Sequence, residues 1–353
     1  MNAVNATCRE FADESVLPQS PVVSVVMLTY NHVAYVRRAI EGALDQRTDF
    51  EVEIIIGDDA STDGTCAICE DFQRRFPDRI RFVAWNRNVS YGRSGNLYGA
   101  CQRARGKYVA FCEGDDYWTD PRKLQKQVDY MEAHPDCALC FHPVLVHWDD
   151  GRTADSVYPP DYERFARMRP TMTELLHHDF MQTNSLLYRW NADGRLFDDF
   201  PLLELPADWM LSLLHARAGR IGFIGEIMSV YCRHAGGLWT NAWVTPRWFA
   251  RLGYRSALFY AKVQQLFGVN RAAIVRQLVL VSLATRKNRA AILKIMRPSV
   301  VWTYLAPALA FGFAIGERLS PCQKMRKGFG WRRVLWGIVS RRRVRVRKAI
   351  LND

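Results

Sequence analysis

Among 353 residues there is no glycine-rich phosphate loop: neither GxxxxGK followed by Ser or Thr, nor a GxGxxG after the first apolar run, where TYNHVAYV stands instead. A bound nucleotide would need another cradle. The N-terminus, MNAVNATCREFADESVLPQSP, lacks a basic-then-apolar leader, so export is not expected and residues 1–20 read as a flexible lead-in. An even-numbered disulfide framework is missing too. The nine cysteines are scattered, which suits free thiols in a reducing compartment. Cys66/Cys69 and Cys137/Cys140 have zinc-ligand spacing, but the first pair falls in a helical stretch and the second runs into a strand, CALCFHPVLV. Buried, inert thiols are expected there rather than structural zinc. Acids are nearly absent from the C-terminus: from Arg318 onward twelve Lys/Arg face Asp353 alone, leaving 36 basic and 35 acidic residues before it. The net charge of +12 therefore belongs to the tail.

What is present is a large apolar complement, 49% of the chain, enough for a sizeable core. Strand-length apolar runs at 22–29, 51–57, 80–85 and 107–112 alternate with helical spacing at 33–44, 64–75, 94–104 and 124–134, the last opened by Asp120-Pro121 as a cap and first-turn pair. This pattern predicts an α/β fold with a mostly parallel sheet covered on both faces. In such sheets ligands bind beyond the carboxyl ends of the strands. Those ends carry Thr29-Tyr30-Asn31, then Asp58-Asp59-Ala60-Ser61, then Asn86-Arg87-Asn88, then Glu113-Gly114-Asp115-Asp116. Any one acidic strand end reads equally well as a turn or a helix cap. Two with paired carboxylates in one α/β unit point to a charged ligand.

The segments SVVMLTYNHVAYVRRAIEGALDQ, EIIIGDDASTDGT and NRNVSYGRSGNLYGACQRARGKYVAFCEGDDYWTDPRKLQKQV resemble, in order and spacing, the family 2 glycosyltransferases of GT-A fold, over about residues 22–240. The GDDYWTDPxKLQ-type stretch is similar to a bacterial subgroup of cell-surface polysaccharide assembly. The resemblance implies a nucleotide-diphosphate sugar donor, a UDP-sugar first, and Mg²⁺ or Mn²⁺ as cofactor. It implies nucleotide contacts at Thr29, Tyr30, Asn31, Asp58 or Asp59, Ser61 and Asn88. Glu113-Gly114-Asp115-Asp116 matches the DXD metal motif, with Glu113 departing from the usual Asp and Asp115 also facing the donor. A hard cation bridging a diphosphate takes one or two carboxylates plus phosphate oxygens, which a short acidic turn supplies. Gly114 between them lets backbone come close to phosphate.

Within LPADWML, Asp208 matches the family's base for an inverting single displacement. Glu204 is the rival, and a helix N-cap is the structural alternative for Asp208. Tyr231-Cys232-Arg233-His234-Ala235-Gly236-Gly237 resembles the closing YRxHxGG stretch. It makes His234 a metal ligand and Arg233 a partner for phosphate, against an ordinary structural histidine. Asn184 in MQTNSLLYR and Trp209 are candidate acceptor contacts.

Beyond about residue 245 the resemblance fades, giving three expected parts: 1–20, a GT-A domain at 21–242, and a helical, partly apolar and basic extension at 243–353. Residues 298–316 carry no charge over nineteen positions, bordering on membrane-spanning length. The tail KMRKGFGWRRVLWGIVSRRRVRVRKAI interleaves cations with Trp331, Leu335, Trp336 and Ile338, which suits an interfacial helix on anionic lipid. Nucleic acid is the alternative for such a run but is not expected as a partner. The expected setting is cytoplasmic, peripheral or monotopic on the inner face of the plasma membrane, where a glycan or lipid-linked acceptor is presented. Two other functions stay open: a sugar-nucleotide nucleotidyltransferase, and a non-catalytic nucleotide-binding subunit on a membrane.

Overall fold

The computed structural model describes residues 7–89, 95–190, 207–237 and 263. An eight-stranded sheet carries the domain. Its strands are β1 (Cys8–Phe11), β2 (Val23–Thr29), β3 (Val52–Asp58), β4 (Ile80–Trp85), β5 (Tyr108–Phe111), β7 (Cys137–Phe141), β10 (Leu187–Arg189) and β11 (Arg220–Phe223). Their order is β1-β4-β3-β2-β5-β10-β7-β11. The centre, β4-β3-β2-β5, is parallel, as the near-continuous apolar runs require. Strand β10 runs antiparallel to both β5 and β7. A second sheet, ordered β6-β12-β8-β9, is built of β6 (Tyr117–Trp118), β8 (Val144–Trp148), β9 (Ser156–Tyr158) and β12 (Ser229–Arg233).

Helices α1 (Val36–Leu44), α2 (Thr65–Arg75), α3 (Asn96–Cys101) and α4 (Lys123–Ala133) alternate with the parallel strands as the spacing predicts. Helix α1 shows why: Val36, Ala39, Ile40 and Ala43 fall on one face and are all buried, against a core that includes Val25, Met27, Ile54 and Ile56. Gly42 is required on that helix because a Cβ there would stand 3.0 Å from the Trp118 carbonyl oxygen, so α1 lies directly against β6. Further along come α5 (Met172–His177) and α6 (Ala207–Ala218).

Buried polar groups tie the parallel strands together. The Glu53 carboxylate on β3 is completely buried, which is costly for a charge without partners. It accepts a hydrogen bond from the Ser24 hydroxyl (2.6 Å) and is gripped by the Arg105 guanidinium at 2.9 and 2.7 Å.

Three expectations are corrected. Residues 1–20 are not a loose lead throughout: Cys8–Phe11 pair antiparallel with β4, Leu17 is buried, and Arg81 on β4 forms ion pairs with Glu10 and Glu14. Asp120 does not cap α4, whose N-cap is Arg122. Asp120 instead accepts the Arg122 N–H (2.8 Å) and pairs with Lys126. The third helix spans only Asn96–Cys101, with a turn at 102–103. The four CxxC cysteines sit on α2 and β7 as free thiols, and burial, opposed in part by the Lys123 charge, pushes Cys140 up to about 12. Glu204 and the expectations for 243–353 (the uncharged stretch 298–316 and the basic tail) lie outside the described residues. No helix among the described residues is long and apolar enough to cross a membrane.

Candidate active site

The site forms where β2, β3 and β5 end. Beyond β2 the chain enters the left-handed region at Asn31 (φ 56°), and beyond β3 at Ala60 (φ 62°). These two bends face each other and are stitched together. The Asp59 N–H donates to Thr29 O (3.0 Å), the Asn31 N–H to Ser61 Oγ (2.9 Å), and the Thr62 N–H to Asn31 Oδ1 (2.9 Å). Asp58 accepts from the backbone and hydroxyl of Ser61, and Asp59 accepts the Val89 N–H (2.6 Å). Both carboxylates are buried and first of all shape the loops; burial pushes Asp58 above the ordinary value. Tyr30, 45% exposed, with Asn31 and Asn88, forms the open rim. Thr29 is buried, its hydroxyl without a partner.

The acidic turn follows β5. Glu113, Asp115 and Asp116 each present a carboxylate oxygen, all within 4.8 Å of one another. Asp115 is shared with a second group, His32 and His234, within the same 4.8 Å. Pairing of β6 with β12 explains this convergence. Trp118 and Tyr117 stand opposite Ser229 and Val230, so the chain leaving β12 brings His234 back beside Asp115. His234 Nε2 lies 3.1 Å, and His32 Nε2 3.6 Å, from Asp115 Oδ2. The Tyr35 ring leans on His234 (centroids 4.4 Å apart) while its hydroxyl donates to Asp149 (2.5 Å). Arg233 lies over the Trp148 ring, its Nε buried without a partner.

Charge and burial act unequally on these acids. Burial raises Asp115, but the His234 hydrogen bond and the two imidazoles outweigh it, leaving it below the ordinary value. Burial, then the charges of Asp115 and Asp208, push Glu113 up to about 8. Burial, then Asp115 and Glu113, push Asp116 well above the ordinary value. Asp116 Oδ1 accepts the Cys232 N–H (2.9 Å), but its Oδ2 is buried with no partner. Among the described residues no Lys or Arg forms an ion pair with these three carboxylates. An orphaned anionic oxygen beside two more carboxylates and two imidazoles is a donor set that fits a divalent cation.

Packing within the fold also requires glycine at 114. A Cβ there would stand 2.7 Å from Thr29 Oγ1 and 3.0 Å from His32 Nδ1, so the residue lets the acidic turn pack against the end of β2. His32, not anticipated as a site residue, had one signal in the sequence: an imidazole three positions beyond Thr29 at the end of the first strand.

Asp208 lies in the first turn of α6, not at its cap. It accepts from Thr183 Oγ1 (3.1 Å) and from the Trp209 N–H (2.8 Å); burial pushes it above the ordinary value in spite of both. One acceptor candidate is corrected, and the other, half-buried Trp209, spends its indole donor inside the fold. Asn184 is fully buried, donating to Val230 O (2.9 Å) and accepting from Ser229 Oγ (3.1 Å), so it braces β12 and offers nothing to an acceptor. The Trp209 indole N–H donates to Leu175 O (2.7 Å), which commits its one side-chain donor to tying α6 to α5.

Behind the acidic turn lies a fully buried lysine. Lys123 Nζ donates to Gln127 Oε1 (2.6 Å) and sits 4.2 Å from the centroid of the Trp118 ring. Burial depresses Lys123 to about 7. Between that value and the unfolded 10.5, the unfolded chain keeps a proton that the folded one has lost, so this group adds stability as pH rises. Against Lys123→Met, wild type is expected to gain up to ~1.4 kcal/mol per pH unit from pH ~7 to ~10. Urea denaturation across that range reads the slope; parallel curves for the two proteins would refute it.

Residues 24–189 match the family model described as glycosyl transferase family 2. The match covers 166 of the 353 residues, and this region is similar to that family. Of the relatives of this chain, the uncharacterized protein Rv1520 of Mycobacterium tuberculosis is 43% identical over 227 residues, 64% of this chain. The chain spans 63% of that relative's length. Among solved structures, S. aureus TarS residues 1–349 in complex with UDP-GlcNAc superposes with a TM-score of 0.54 at 20% identity, covering 75% of this chain and 74% of that one. The mannosyltransferase PcManGT of Pyrobaculum calidifontis, in complex with GDP-Man and Mn²⁺, gives 0.52 at 19% identity over 84% and 80%. The described domain therefore has the GT-A fold.

Proposed function

We propose that residues 21–242 transfer a sugar, with inversion, from a nucleotide-diphosphate donor to a hydroxyl of a glycan or lipid-linked acceptor in cell-surface polysaccharide assembly. One observation carries the reading: Asp208 and the Glu113–Asp116 turn, 92 residues apart in the chain, share a site closely enough that the Asp208 charge raises Glu113. The strand-end loops hold the nucleotide, with Tyr30 and Asn31 at the rim. Asp115 and His234, with His32, Glu113 and Asp116 around them, would hold Mg²⁺ or Mn²⁺, which when bound neutralises the charge developing on a departing diphosphate. Arg233 adds positive charge beside it. Asp208 takes the proton of the attacking hydroxyl. The UDP-GlcNAc of TarS and the GDP-Man and Mn²⁺ of PcManGT support a nucleotide-sugar donor and a metal. Anchoring of the basic tail on the inner face of the plasma membrane is part of the same proposal.

The test is a screen of UDP- and GDP-sugars with the purified full-length chain. Nucleoside diphosphate release should vanish in EDTA and return with Mn²⁺ or Mg²⁺. Release unaffected by EDTA removes the metal. Pyrophosphate release from a nucleoside triphosphate favours the nucleotidyltransferase instead.

A further inference from the structure

The short turn Thr183–Ser185, between α5 and β10, is 7%, 0% and 0% exposed at its three residues, although all three are polar. Burying polar groups is unfavourable unless each finds a partner. Here the partners lie on both halves of the site. Thr183 Oγ1 donates to Asp208 Oδ2 (3.1 Å). The Asn184 carbonyl accepts from Trp118 Nε1 (3.0 Å), two residues beyond Asp116, and its side chain holds Ser229 and Val230 of β12. That strand in turn gives the Cys232 N–H to Asp116 (2.9 Å). The Ser185 carbonyl accepts from Gln127 Nε2 (2.8 Å), whose other end holds Lys123.

We propose that Thr183 is a positioning residue for Asp208, and that the turn it begins fixes the base against the frame of the acidic turn. This rests on Asp208 being the base of the proposed transfer. A hydroxyl donating to a carboxylate favours its ionised form and fixes one oxygen. The Trp209 N–H holds the other oxygen at 2.8 Å. Threonine is stiff about χ1, so its hydroxyl direction is set by its methyl packing. Packing alone would be met equally well by valine, which has the same shape and no donor.

That difference is the test. In the full-length chain, Thr183→Val should lower kcat about tenfold and move the acidic limb of the pH–rate profile upward by about half a unit or more, because the ionised base loses a donor. The donor KM and the affinity for nucleoside diphosphate with Mn²⁺, read by calorimetry, should not change. Thr183→Ser should restore both rate and limb to within about threefold, since it keeps the donor and loses only stiffness. Thr183→Ala, which adds no apolar volume, replaces the valine variant if the latter does not fold. An active wild type with the same limb in the valine or alanine variant, or a serine variant as impaired as they are, overturns this inference alone. A wild type inactive on every nucleotide sugar overturns the reading beneath it as well.

Discussion

Asp208→Asn is expected to lower kcat by about 10²–10⁴-fold, the contribution of a positioned general base, while donor KM stays unchanged. The environment singles this carboxylate out. Its charge raises Glu113 and also Asp179, which lies between α5 and the Thr183 turn, so of these three carboxyls it is the one that ionises first. Burial still sets it above the ordinary 3.8, so the acidic limb of the wild-type profile should lie above that value, with activity lost as pH falls through it. Asparagine keeps an oxygen for the Thr183 hydroxyl and preserves the first turn of α6, so folding should survive. The measurement is a pH–rate profile with calorimetric binding of nucleoside diphosphate. A variant within about threefold of wild type, but with a lowered melting temperature, would return Asp208 to a purely structural role as an acid in the first turn of α6, worth about 0.3–1 kcal/mol.

The parallel half of the sheet was legible because its strands are buried on both faces. VSVVMLT and VEIIIGD have no polar face that would permit another reading. The acids at the strand ends were legible because paired carboxylates close two strands of one unit, although Asp58 and Asp59 prove to be buried and to shape the loops. What the residues hid were contacts between distant segments. Asn184 looked like an acceptor contact because it is polar near the end of an acceptor-side segment, but β12, 45 residues later, consumes its amide. Thr183 and Tyr35 have ordinary neighbours in sequence, and only the pairing of β6 with β12 and the entry of α6 give them partners. Strand β1 was invisible because CREF is short and half polar; its stability comes from β4 and from Arg81 bonding Glu10 and Glu14.

Asp115→Asn is expected to abolish metal-dependent transfer, by about 10³-fold or more, because several kcal/mol of charge stabilisation at the leaving diphosphate pass through this site. Asp115 is the common member of both groups of donor atoms, so its loss opens the carboxylate set and the imidazole set together. The same change should flatten the pH dependence of the metal-free protein's stability. Glu113 is raised from 4.5 to about 8, partly by Asp115. Between those values the unfolded chain releases a proton that the folded chain retains, so folding grows weaker as pH rises, and the full penalty is present above about 8. Removing the Asp115 charge lowers the folded value and shrinks that penalty. In EDTA, the fall in melting temperature from pH ~5 to ~8 should therefore be smaller in the variant than in wild type. With Mn²⁺ and UDP added, only wild type should rise, since a ligand stabilises by binding the folded state alone. A variant whose melting temperature falls as steeply as wild type's over that pH range, or that gains as much from Mn²⁺, would remove Asp115 from the centre of the clamp. The crowding of negative charge that raises Glu113 and Asp116 in the empty site is what gives a cation its hold there, so the pH dependence of stability and the metal affinity should diminish together at this residue.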